Sequence, residues 1–61
     1  MTELAQERFS FIELLHEVFF TRKGHGAYAY ITVTEAMTLF DEYLVSGEQA
    51  NQFINHYVRS I

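Results

Sequence analysis

The sequence predicts an α+β fold with element order α-β-α-α, and three observations carry that prediction. Residues 2–20 place apolar side chains at helical spacing, and residues 27–33, AYAYITV, alternate with a period of two. Two further helical patterns, over residues 34–45 and 48–60, follow with Gly47 between them. The 61 residues make a single small domain. A chain this short buries only about 60% of the surface that its unfolded form exposes, so it calls for a disulfide, a metal, a second subunit or close helix packing. It contains no Cys, which excludes the first and leaves no sign of an oxidising compartment. A homodimer is the simplest expectation.

In the first segment Leu4, Phe11, Ile12, Leu15, Val18 and Phe19 share one side of a helical wheel, and Glu3, Gln6, Glu7, Ser10, Glu13 and Glu17 share the other. Phe9, Leu14 and Phe20 fall at or beyond the edges of the apolar side. That side is therefore wider than one small neighbour covers, which marks Phe9 and Phe20 as contacts for a partner. The row Glu3, Glu7, Glu13 and Glu17 is either the solvated side of the helix or a row of carboxylates imitating phosphates. Its like-charged i, i+4 pairs each cost a few tenths of a kcal/mol.

Residues 21–26, TRKGHG, predict a helix exit and a turn in which Gly24 and Gly26 supply positive φ, with Arg22 and Lys23 favourably placed near a helix C-terminus. The strand expected over 27–33 would carry Ala29, Ile31 and Val33 on one side and Tyr28, Tyr30 and Thr32 on the other. Its ladder groups require a neighbour. That neighbour is either residues 18–22, folded back as a hairpin, or the same strand of a second chain.

Thr34 is placed to cap the next helix, with Thr32 and Glu35 as an alternative capping box, and Ala36, Met37, Leu39, Phe40, Tyr43 and Leu44 form its apolar arc. Gly47 ends that helix, and Ser46 with Gln49 offers a further box. Ala50, Phe53, Ile54, Tyr57, Val58 and Ile61 then follow the spacing of a buried helix face.

No strong catalytic or metal signature is present, so a non-enzymatic chain without metal or cofactor is expected. Glu13 and His16 form a Glu-x-x-His pair, the type that ligates carboxylate-bridged metals, but two more inward carboxylates would be needed, and His16 reads as structural. His25 lacks a neighbouring nucleophile or acid, His56 lies on a polar face, and Ser10, Ser46 and Ser60 have capping or surface roles. Four basic against eight acidic residues give a net charge of −4, which opposes general attraction to nucleic acid or anionic lipid. There is no basic leader, and no apolar run approaches the roughly 20 residues of a membrane span. A cytoplasmic protein is expected, with no membrane partner and no evident small-molecule substrate.

Residues 27–61, with an alternating Y-I-T-V strand running into Thr34 and Glu35, one short helix, Gly47 in the turn, and Ile54 and Val58 seven and eleven positions beyond it, resemble the ribbon-helix-helix family of dimeric DNA-binding repressors. The resemblance implies two strands paired antiparallel across a dimer and inserted in the major groove. Tyr28, Tyr30 and Thr32 would then read base edges, and Arg22 and Lys23 would touch phosphate. Binding by phosphate neutralisation usually draws on roughly six to ten contacts, and two cations per chain are few. The leading expectation is therefore a small regulatory or inhibitory protein that binds another protein as a homodimer, with Tyr28, Tyr30, Phe9 and Phe20 as contacts. A ribbon-helix-helix-like DNA-binding regulator is the alternative.

Overall fold

The computed structural model describes residues 3–61, and they are all-helical. The first helix α1 (Glu3–Lys23) is followed by a 3₁₀ turn (Ala27–Ala29), then α2 (Val33–Ser46) and α3 (Ala50–Arg59), with no strand among the described residues. The α+β class is corrected to all-α. The expected helix start at Thr2 lies outside the described residues.

The correction centres on residues 27–33. A strand there needs a ladder partner, but residues 18–22 belong to α1, which runs on to Lys23 instead of folding back as a hairpin. The backbone groups are satisfied locally. The Ala29 and Tyr30 N–H groups donate to the Gly26 and Ala27 carbonyls at 3.1 and 2.9 Å, and the Ile31 N–H also donates to Ala27 at 3.0 Å. With the backbone wound this way, burial follows a period of four. Ala27 and Ile31 point into the core, while Ala29 is exposed and Val33 is 58% exposed. The alternating pattern had placed Ala29, Ile31 and Val33 together on the buried side.

The helix ends follow ordinary stereochemistry. Gly24 takes φ +84° and its N–H donates to the Phe20 carbonyl at 3.0 Å, which closes α1 three residues later than expected. Gly47, at φ +76°, is the left-handed C-cap of α2. Gly26 is not a positive-φ residue: its φ is −68°, and the requirement for glycine there is steric, as described below. Thr32 is the N-cap of α2, its Oγ1 accepting the Glu35 N–H at 3.1 Å. The Thr32–Glu35 register is thus the one used, and Thr34 lies inside the helix. Ser46 Oγ instead donates to the Tyr43 carbonyl and accepts the Glu48 N–H. Gln49 is the N-cap of α3, without a side-chain cap bond, so the expected Ser46–Gln49 box does not cap that helix.

Twenty-one residues at 1.5 Å each make α1 about 31 Å long, close to the molecule's longest extent of 32 Å. It forms the spine against which α3 and the 3₁₀ turn pack most closely. Phe11, Leu15 and Phe19, at i, i+4 and i+8, are its buried stripe. Ile54 and Val58 of α3, Ala36, Leu39 and Phe40 of α2, and Ala27 and Ile31 complete the core. At one end Phe11 stacks on Tyr43 with centroids 5.1 Å apart and meets Phe40 at 5.4 Å and Phe53 at 6.2 Å. At the other, Phe19 stacks on Tyr30 at 5.4 Å and meets the edge of Tyr57 at 6.3 Å. Two aromatic clusters thereby tie both ends of this buried stripe to the later elements.

Candidate functional site

With its core stripe turned inward, α1 carries a second apolar stripe on its outer side. Phe9, Ile12, His16 and Phe20 recur at i, i+3, i+7 and i+11, so at 3.6 residues per turn they line up along the helix. Phe9 and Phe20 are each 62% exposed. Leaving two phenylalanines largely in water forgoes the stabilisation that burying such rings brings, in a domain with little to spare.

Tyr28, 47% exposed, joins this stripe from the 3₁₀ turn and forms a wall beside His16, ring centroids 6.2 Å apart. The result is an open groove of about 480 Å³ lined by Phe9, Ile12, Glu13, His16, Phe20 and Tyr28, with Glu17 beside them. A wider groove of about 880 Å³ runs along the other side of Phe9, but Glu3, Gln6, Glu7 and Ser10 contribute to its lining and make it the more polar of the two.

His16 fixes the wall in place. Its Nδ1 accepts the Ala27 N–H at 3.2 Å, so the neutral ring carries its proton on Nε2. The imidazole lies directly over Gly26, where an added Cβ would stand 2.0 Å from His16 Cε1 and 2.3 Å from Nε2. Only glycine allows this approach. The helix, the histidine and the glycine together hold Tyr28 at the groove.

The expected site residues separate into two sets. Phe9, Phe20 and Tyr28 meet in one groove. Tyr30, 41% exposed, does not join them: its ring stacks on Phe19 and its hydroxyl donates to the Lys23 carbonyl at 3.0 Å, closing the end of α1. Arg22 Nε donates to Asn55 Oδ1 at 2.8 Å, and Lys23 Nζ donates to the Ile61 carbonyl at 2.8 Å, so both cations tie α1 to α3 and the residues just beyond it. Thr32 caps α2. Tyr28, Tyr30 and Thr32 share no strand face, and Arg22 and Lys23 each make a hydrogen bond within the chain.

Among the described residues no three His, Asp or Glu side chains come together as a metal site, so Glu13 and His16 stand without further ligands. His56 Nδ1 lies 3.3 Å from Glu48 at the surface. The Tyr57 phenol is pushed above its ordinary range, first by burial and then by the negative charges of Glu35 and Glu42. Among the same residues no helix is long and apolar enough to cross a membrane.

The sequence pattern put Ile12 on the core side of α1, where it does pack against the core, and gave His16 a structural role, which its bond from the Ala27 N–H fits; that both also line the groove was not foreseen. The signal was the same i, i+3, i+7, i+11 register that starts from Phe9. Compared with known proteins, the chain matches no family model, no curated protein and no solved structure.

Proposed function

We propose that this chain is a small non-enzymatic regulatory or inhibitory module that acts by binding another protein through the outer groove of α1. The observation that supports this reading is the convergence of Phe9, Phe20 and Tyr28, from two elements, on one apolar groove. At about 200 Å² per ring, their exposed portions amount to roughly 300 Å². That is within the range of the largest apolar patch on a typical monomer, which is often functional. Phe and Tyr are also enriched at the cores of protein interfaces, and Tyr is among the residues that carry most of their binding energy. No strand lies among the described residues, so small size remains as the ground for expecting a homodimer.

Position-specific photo-crosslinking in the native cell tests the proposal. A photoreactive phenylalanine analogue replaces Phe9, Phe20 or, as a control on α2, Glu42, which is exposed. Discrete protein adducts from positions 9 and 20, with none from 42, are expected. No adduct from 9 or 20, or equal adducts from all three, would refute it.

A further inference from the structure

We infer that the occupant of the α1 groove is an amphipathic helix of another protein, apolar along one side and carrying Lys or Arg along the edge that lies next to Glu13 and Glu17. This rests on the groove being the working surface, as proposed above, and adds the chemistry of the partner.

The occupant is helical because of what the groove lacks. Its floor is a helix whose backbone groups bond within it, and no sheet edge exists among the described residues. A β-strand laid there would find no sheet edge to pair with, so recognition by strand addition has no footing. A helix arrives with those groups already satisfied and offers only side chains. The lengths also agree: Phe9 and Phe20 are eleven residues apart, about 16 Å along the axis or three helical turns.

The charge of the occupant follows from the edges of the groove. At 100° per residue, Glu13 and Glu17 fall on one side of the line from Phe9 through His16 to Phe20, whereas Ile12 falls on the other. Tyr28 packs against His16. Glu13 and Glu17 are the groove's two carboxylates, and no Lys or Arg lines it. One edge is therefore acidic and the other apolar, which fixes both the sign of the partner's charge and the side that bears it.

The same asymmetry argues against a second copy of this chain packed antiparallel on α1. A two-fold axis between antiparallel α1 helices brings like edges together. Glu13 and Glu17 would then face their own counterparts, between chains that each carry a net charge of −4.

Selection from a displayed library of amphipathic helices, apolar on one side and randomised along both edges, tests the inference, with the full chain as bait. A rim ion pair is worth up to about fivefold in affinity, so losing two of them shifts affinity by up to about 25-fold. Recovered helices should be enriched in Lys and Arg along one edge. The E13K/E17K bait should select Asp and Glu there, and the F9S/F20S bait should recover neither set. Edges that stay random, or the same recovered sequences on native and E13K/E17K baits, would overturn the inference.

The crosslinking experiment separates this failure from failure of the underlying reading. Adducts from positions 9 and 20 whose captured segment is acidic, extended or a second copy of the chain sink the helix proposal and leave protein binding standing. No adduct at either position removes both.

Discussion

Replacing Gly26 by Ala places two opposing effects on a single methyl group. The Gly26 backbone, at φ −68° and ψ 170°, is ordinary extended geometry for alanine. On backbone grounds alone the change stabilises by about 0.4–1 kcal/mol, because the unfolded chain loses freedom. The new Cβ would nevertheless lie 2.0 Å from His16 Cε1, so the imidazole must swing out and give up the 3.2 Å bond from the Ala27 N–H. Leaving that amide without its partner costs about 1–3 kcal/mol. Gly26→Ala should therefore destabilise by about 1 kcal/mol net, a fall in Tm of roughly 4–8 °C for a domain of this size. In a His16→Ala background the ring and its bond are already gone, and the same glycine substitution should now stabilise by about 0.5 kcal/mol. The two changes are coupled by about 1.5 kcal/mol, and the sign reversal is the diagnostic result. Thermal and urea unfolding of the four proteins, followed by far-ultraviolet circular dichroism, reads it directly. Equal effects of Gly26→Ala in both backgrounds would refute the account of why glycine occupies that position.

Leu15→Ala empties a fully buried position at the middle of the α1 core stripe. It should cost about 2–5 kcal/mol, a large share of the about 3–9 kcal/mol total for a domain of this length, read as a lower urea midpoint. Thr32→Ala removes the bond to the Glu35 N–H that caps α2 and should cost about 1 kcal/mol, measured by urea midpoint, whereas Thr34→Ala should be nearly silent. Tyr57 holds its proton more tightly in the folded chain than in the unfolded one. Above about pH 10, where an unfolded tyrosine ionises, stability should fall as pH rises. That slope should be shallower in Tyr57→Phe, read from unfolding midpoints across an alkaline series.

Helices were legible in this sequence wherever one-sided burial writes a local period. Ile54 and Val58, Phe11, Leu15 and Phe19, and Ala36, Leu39 and Phe40 stand where their spacing put them, whereas Leu4, Leu44 and Ile61, expected on the same faces, are about half exposed. Gly47, and the Thr32–Glu35 box weighed as an alternative, were legible for the same reason, since a cap is a matter of three or four neighbouring residues. The AYAYITV stretch misled because alternation is a necessary mark of a half-buried strand, not a sufficient one: a strand also needs a partner, and partnership is not local. Gly26 shows the same limit, its requirement coming from a histidine ten positions earlier. For the groove, Phe9 and Phe20 were visible as apolar residues in excess of what the core could take up. Tyr28 was expected on a face that does not exist, while Tyr30, Arg22, Lys23 and Thr32 turned out to have bonding partners elsewhere in the chain, which composition could not reveal.

The two-sided character of α1 also determines where this sequence is free to drift. On α3, Asn51, Gln52, His56 and Arg59 face water, and exchanges among polar residues there should pass with little effect. On α1 the inward stripe builds the core, the outward stripe builds the groove, and His16 secures the turn that follows, so few positions are spare. Random substitution should therefore be felt most often in the longest helix of the chain and least often on the outward side of its last.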